Sequence, residues 1–289
     1  MDTLIEETKF IMKKYNIKAN KALGQNFLIN KYVVETIVES SDITKEDLVI
    51  EIGPGLGTLT KYLLEKAGKV IAIELDKKMI EILQDRFKLY NNFELYQEDI
   101  LKVDLENLIK KEKKNESIKK VKIVANLPYY ITTPIIMKLL EEELDLESIT
   151  VMIQKEVADR LSAIPGEKDT GAITYAVYYY AIAESILEVP KESFIPEPEV
   201  TSKIIKLNIR KQVPVKVENK EFMFKIIKNA FMQRRKTLLN SLRNAKIFNS
   251  KEQGLDILHA IDLKEDVRAE KLTLKNFADI TNQILNKGI

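Results

Sequence analysis

The feature that most restricts what this chain can fold into is an alternation that begins near residue 48. Short, almost continuously apolar runs rich in β-branched residues are separated by amphipathic stretches of helical period. LVIEI (48–52) precedes TLTKYLLEKAG (58–68), and KVIAIEL (69–75) precedes DKKMIEILQDRF (76–87). FELYQ (93–97), KVKIVAN (120–126) and SITVMIQ (148–154) continue the series, the last leading into a helical KEVADRL (155–161). Strands apolar on both faces must be covered on both faces, and intervening helices supply the crossovers that a parallel sheet requires. The expectation is an α/β, Rossmann-like domain. Two later runs, SILEVP (185–190) and SKIIKLNI (202–209), read as further strands, the last ones antiparallel at an edge.

Beyond KQVPVKVENK (211–220) the strand signal stops. EFMFKIIKNAFMQRRKTLLNSLRN, GLDILHAI and LKNFADITNQILNK all have helical period. The boundary is set at residue 212. An α/β domain with a basic N-terminal segment is expected over 1–212, and a small α-helical domain over 213–289.

Composition matters chiefly for what it excludes. The chain has no cysteine and one histidine, His259, so thiolate chemistry, disulfides and a multi-histidine metal site are excluded. His259 lies in GLDILHAI and reads as a helix-surface or packed residue. No apolar run reaches the ~18 residues of a spanning helix, and the N-terminus lacks the apolar core of a signal peptide. A cytoplasmic location is expected. The net charge of +2 is uninformative, but its distribution is not. Thr8 to Val34 holds six lysines and no acid, and Phe222 to Ser250 holds seven Lys/Arg and no acid. Two acid-free basic windows in a near-neutral chain suit surfaces that face phosphates.

EIGPGLGT (51–58) ends the first strand and opens a helix, with glycines at 53, 55 and 57. The dinucleotide fingerprint needs glycine at position 58, where this chain has Thr58. G-x-G-x-G instead resembles the loop with which methyltransferases hold S-adenosylmethionine. Polar residues end the next strands: Glu74 after KVIAI, Asp99 after FELYQE and Asn126 after KIVA. In an open parallel sheet the carboxyl ends of the strands form the ligand crevice, so these residues converge by topology. An acid at the position of Glu74 takes the ribose hydroxyls of a nucleoside, and Asp99 can accept from its adenine amine.

KALGQNFL (21–28), EIGPGLGTLT, QEDI (97–100), NLPYYITTP, MIQKEVADRL (152–161), FIPEPEVTS (194–202) and FMQRRKTLLNSL (231–242) resemble, in order, the motifs of the KsgA family. These are ribosomal RNA adenine dimethyltransferases that act on small-subunit RNA. The likeness runs from about residue 20 to 275. It implies a Rossmann-like methyltransferase domain with a small α-helical C-terminal domain, S-adenosylmethionine as methyl donor, and two adjacent adenosines of 16S RNA as substrates. It also implies the small ribosomal subunit as partner, and a monomer that uses neither membrane nor metal. By motif position, Asn26, Leu28, Gly53, Gly55, Glu74, Asp99 and Asn126 are expected to bind the donor. Asn126, Leu127, Pro128 and Tyr129 are expected to hold the target base, with Phe194 stacking on it opposite Tyr129. Arg234, Arg235 and Lys236, on a basic helix, are expected to meet RNA. One departure stands out: the family usually has an aromatic residue just before the glycine at 171, and this chain has Thr170.

NLPY fits that chemistry. An adenine amine is a poor nucleophile because its lone pair is delocalised into the ring. Two acceptors, Asn126 Oδ1 and the Leu127 carbonyl, would each take one N–H and free the lone pair. Proline fixes the turn that aims them, and Tyr129 offers a flat face to a base taken out of its helix. Three other readings remain open on sequence: a large-subunit RNA methyltransferase of the antibiotic-resistance type, an assembly factor without catalysis, and a nicotinamide enzyme, the last disfavoured by Thr58.

Overall fold

A computed structural model describes residues 3–19, 24–167, 169–233 and 235–287. Its strands are β1 (Phe27–Leu28), β2 (Asp47–Ile52), β3 (Lys69–Glu74), β4 (Phe93–Gln97), β5 (Lys120–Asn126), β6 (Ser148–Gln154), β7 (Ala181–Val189), β8 (Phe194–Ile195) and β9 (Ser202–Ile209). The helices are α1 (Leu4–Lys14), α2 (Lys31–Ser40), α3 (Thr58–Lys66), α4 (Lys77–Phe87), α5 (Leu105–Glu112) and α6 (Thr132–Glu141). They continue with α7 (Lys155–Ser162), α8 (Ala172–Tyr180), α9 (Lys220–Met232), α10 (Leu238–Asn244), α11 (Lys251–His259) and α12 (Leu274–Asn286).

Seven strands form one sheet in the order β4-β3-β2-β5-β6-β9-β7. β2 runs parallel to both β3 and β5, β3 to β4, and β5 to β6, whereas β9 lies antiparallel to β6. The chain therefore moves outward from β2 to β4, then returns to lay β5 on the other side of β2. Crossovers that leave in opposite directions open a crevice at the carboxyl ends of β2 and β5. β9 is antiparallel as the sequence suggests, but it sits inside the sheet and β7 takes the edge. β7 carries Glu184 and Glu188 on an exposed, half-apolar strand, which suits an edge; Ile204, Ile205 and Leu207 of β9 are fully buried. At the opposite end of the sheet, Lys122 and Asp47 form a buried ion pair at 2.9 Å. Removing one partner of such a pair leaves an uncompensated charge and costs ~3–5 kcal/mol.

On one face of the sheet Val49 of β2 and Val70 of β3 cluster with Ile37, Leu63, Leu83 and Phe87 of the covering helices. α1, which carries part of the N-terminal basic window, is tied down by Glu7, which accepts from Arg86 at 2.7 Å and Lys61 at 3.3 Å.

Contacts divide the chain into one unit of Met1–Ala158 with Ala183–Ile209 and a second of Asp159–Ile182 with Arg210–Ile289. The second start, Arg210, lies beside the expected boundary at 212, but the second unit also takes α8. Tyr175 of α8 stacks obliquely on Phe231 and edge-on to Phe277, and its buried hydroxyl donates to the Leu272 carbonyl at 2.7 Å. These partners lie more than 50 residues away in sequence, so no local pattern announces them. Thr170, at the family's aromatic position, is buried in this unit. His259 is an exposed residue at the end of α11, 3.6 Å from Glu265.

The expected basic helix over QRRKTLLNSLR is a correction. α9 ends at Met232, Gln233 leaves the helical region at φ −126° and ψ 68°, and a turn leads to α10, which Thr237 caps by accepting from Asn240 N–H. Among the described residues no helix is long and apolar enough to cross a membrane.

Candidate active site

β2 ends in a loop whose left-handed backbone favours glycine. Gly53, Gly55 and Gly57 have φ of 66°, 56° and 78°. A Cβ at Gly57 would lie 2.5 Å from the Phe87 ring, so this glycine lets α3 close against α4. At Gly53 the corresponding space is open and faces a cavity, where a ligand can approach bare backbone.

That cavity lies at the switch point and is lined by every residue expected to bind the donor: Asn26, Leu28, Gly53, Gly55, Glu74, Asp99 and Asn126. Leu127, Pro128 and Tyr129 line it as well. Glu74 is nearly buried; its carboxylate accepts from the backbone N–H of Gly55 at 3.1 Å, Leu75 at 2.8 Å and Asp76 at 2.9 Å. Burial raises its pKa, and the three amides oppose that rise. Of about four acceptor sites on a carboxylate, at least one faces outward. Asp99 accepts from Leu101 N–H at 3.0 Å through one oxygen.

Two links bring the N-terminal segment to the strand ends. Gln25 Nε2 donates to Asp76 Oδ2 at 2.9 Å, and Asn126 Nδ2 donates to the Asn26 carbonyl at 3.3 Å. Because its nitrogen is used this way, Asn126 presents Oδ1, an acceptor, as its remaining polar atom. Leu127 N–H donates to the Met152 carbonyl at 3.1 Å, and the Pro128 carbonyl accepts from Thr132 Oγ1 at 3.0 Å, so the turn is held on both sides. Tyr129 shares a 2.7 Å hydrogen bond with the buried Ser202 hydroxyl, and burial raises its pKa.

Phe194 does not join this group. Its ring is 2% exposed, packed in the sheet's core, while β8 pairs with β1 through Leu28↔Phe194. In this conformation Phe194 is buried and does not line the cavity. Tyr130, which sequence reasoning passed over, has its ring 57% exposed and lines the cavity with Tyr129. Also passed over were Gln25, Glu98 and Glu51. Glu51 had a legible signal, an acid placed among Val and Ile within a strand. Arg235 and Lys236 are exposed in the turn between α9 and α10; Arg234 lies outside the described residues.

Electrostatically the cavity has one sign. Glu51, Glu74, Glu98 and Asp99 line it, and no lysine, arginine or histidine does so among the described residues. It suits a ligand that carries positive charge and a nucleoside.

Comparison with known proteins agrees. The family model described as ribosomal RNA adenine dimethylase matches residues 16–286. A ribosomal RNA small subunit methyltransferase A from Alkaliphilus metalliredigens is 47% identical over 286 residues, covering 98% of this chain and 99% of the relative. One of the same name from Clostridioides difficile is 46% identical over 280 residues, covering 97% and 96%. The crystal structure of a dimethyladenosine transferase from Plasmodium falciparum superposes with a TM-score of 0.75 at 28% identity, over 91% of this chain and 98% of that one. The 23S rRNA methyltransferase ErmE shares the fold, with a TM-score of 0.68 at 20% identity over 90% and 100% of the two chains.

Proposed function

The chain belongs to the ribosomal RNA adenine dimethylase family, and we propose that it dimethylates the exocyclic amines of two adjacent adenosines in the 16S RNA of the small ribosomal subunit, in the cytoplasm. It is an S-adenosylmethionine-dependent methyltransferase. The observation that carries the reading is the meeting, in one cavity, of the glycine loop and strand-end acids with the Asn126–Tyr129 turn. The residues fit the donor: open space over Gly53 admits it, and a lining whose charged members, among the described residues, are all acids suits its positive charge.

When bound, the donor supplies an electrophilic methyl on a sulfonium. Gly53, Gly55, Asn26 and Leu28 would hold it, Glu74 would take ribose hydroxyls and Asp99 the adenine amine. Tyr129, anchored through Ser202, stacks the target base, and Tyr130 at the mouth of the cavity is placed to share that contact. Asn126 Oδ1 and the Leu127 carbonyl accept the two N–H of the target amine and turn its lone pair toward the methyl. Neither acceptor is basic enough to hold the proton released afterward, so it passes to water. The protein's work is thus positioning, which is worth up to ~7–11 kcal/mol of barrier. Arg235 and Lys236, with Arg234, contact phosphates.

A large-subunit target is the weaker reading: the relatives above 40% identity are small-subunit enzymes by name, and the large-subunit enzyme shares only the fold. The test is mass spectrometry of RNA after small and large subunits are each incubated with protein and labelled donor. Two neighbouring dimethyladenosines in small-subunit RNA alone are expected. Label in large-subunit RNA supports the resistance-type enzyme, and donor binding without any label supports an assembly factor.

A further inference from the structure

α1 has two unlike faces. Its inner stripe, Leu4, Thr8 and Ile11, is buried, and Ile11 clusters with Ile17, Phe27, Met79, Ile82 and Leu56, a residue of the glycine loop that lines the cavity. Ionic links fasten the helix further. Glu7 holds Arg86 and Lys61, and Asp85 of α4 holds Lys14 at 2.9 Å together with the Tyr15 hydroxyl. The outer stripe takes no part in this anchoring. Lys9, Phe10 and Lys13 recur at helical spacing and are exposed, Phe10 at 66%, and the exposed Lys18 continues the run beyond the helix. None of these lysines has an ion-pair partner among the described residues, in contrast to Lys14. A lone exposed ring is ordinary. A ring flanked by unpaired cations one turn apart matches a nucleic-acid strand, with phosphates on the cations and an unstacked base on the ring.

We propose that the outer stripe of α1, Lys9, Phe10 and Lys13 with Lys18 beyond it, is a second RNA-docking surface, carried by the catalytic unit itself. It holds unpaired nucleotides of the substrate RNA beside the cavity. The inference rests on the reading of the substrate as small-subunit RNA. Charge complementarity argues for a polyanion. The exposed ring argues for unpaired nucleotides over a regular duplex, whose bases are stacked inside. Position argues for the strand that enters the site. Ile17, just past the end of α1, shares a cluster with Leu56 and Phe27, and Asn26 and Leu28 on either side of Phe27 line the cavity. The helix is thereby packed against the segments that shape the site. Docking of this kind supplies binding without chemistry: it lowers KM for the RNA and leaves kcat as it is.

The test measures small-subunit binding by the intact protein over a series of salt concentrations, with variants beside the wild type. Lys9→Ala/Lys13→Ala should reduce the slope of log affinity against log salt by about 1–2. Phe10→Ala should lower affinity roughly 5- to 150-fold, the worth of one stacked base, with the slope unchanged. Lys66→Ala/Lys114→Ala is the control. It removes the same charge from exposed lysines that precede β3 and β5, at the strand ends away from the cavity, and should change neither quantity. Donor affinity and melting temperature should hold in every variant. Steady-state methylation by the α1 variants should show a raised KM for the subunit with kcat intact. An unchanged slope in Lys9→Ala/Lys13→Ala overturns the proposal, and so does an equal loss in the control pair, which would mark a response to net charge. Unchanged affinity in Phe10→Ala also overturns it, whether the stripe then proves a self-contact, seen by sedimentation, or a lipid contact, seen by flotation with anionic vesicles. No wild-type binding to small subunits, or equal binding to large ones, would instead sink the reading of the substrate. That result is distinct from variants that match a functioning wild type.

Discussion

Glu74 Oε2 accepts a hydrogen bond from Gly55 N–H at 3.1 Å, joining the acid at the end of β3 to the glycine loop at the end of β2. One carboxylate thus ties the ends of two neighbouring strands together. Glu74→Ala should weaken S-adenosylmethionine binding by ~1.5–3 kcal/mol, since hydrogen bonds to a charged group are lost. Glu74→Gln should rescue little, because its amide nitrogen cannot accept from Gly55. An unchanged dissociation constant in calorimetric titration of the alanine variant would remove Glu74 from the donor site.

Tyr129 separates stacking from anchoring. Tyr129→Phe keeps the flat face but leaves the buried Ser202 hydroxyl without the 2.7 Å bond. It should cost about 1 kcal/mol of stability and little base affinity. Tyr129→Ala should lose ~1–3 kcal/mol of base contact, the worth of one stacked base. Thermal melts and RNA binding measured side by side decide the matter; equal RNA affinity in the two variants would show that the ring does not stack.

Glu51 makes a prediction about stability in the absence of donor. Its ordinary value of 4.5 rises to about 8 in the fold, so between these values the folded protein holds more protons than the unfolded chain. Its contribution to stability is therefore full below pH 4.5 and is lost as pH rises through about 8. Glutamine copies the protonated form and cannot ionise. The melting temperatures of wild type and Glu51→Gln should agree within ~2 °C at about pH 5, and the variant should lead by ~5 °C or more at about pH 8.5. A gap independent of pH would mean that Glu51 is charged in the fold.

What the sequence made legible was local in origin. The parallel strands follow from apolar runs of strand length, and Gly53, Glu74, Asp99 and Asn126 follow from one rule of α/β topology about strand ends. The failures are tertiary. Phe194 sits in a motif that invites a stacking role, and its burial accompanies a pairing with Leu28, 166 positions away, that no local pattern announces. Tyr175 joins the second unit through Phe231 and Phe277, which its own helix does not foreshadow. The break in the basic helix was readable in principle: Thr237 precedes LLN as a capping residue, and the polar run QRRKT (233–237) interrupts the apolar period.

Exposure of Arg235 and Lys236 in a turn, rather than on a helix face, leaves both side chains free to follow a phosphate backbone. Replacing the two with alanine should lower affinity for the small subunit and reduce the slope of log affinity against log salt by about 1–2. Donor binding should not change. A wild-type salt slope in the double variant would make the turn structural, with phosphate contacts lying elsewhere.

The rate of methyl transfer should be nearly independent of pH once both substrates are bound. Among the described residues no histidine or lysine lines the cavity, and burial raises Tyr129 above its ordinary value of 10. No histidine, lysine or tyrosine of the lining is therefore poised as a general base near neutrality. None is needed, because the amine attacks while neutral and the methylated cation is acidic enough to give its proton to water. An ionisation owed to Glu51 would vanish in Glu51→Gln. Single-turnover rates with donor and RNA saturating should be flat from about pH 6.5 to 8.5. A clear ionisation in the saturated rate, retained in His259→Gln, would demand a proton acceptor beside Asn126 and defeat a mechanism that rests on positioning alone.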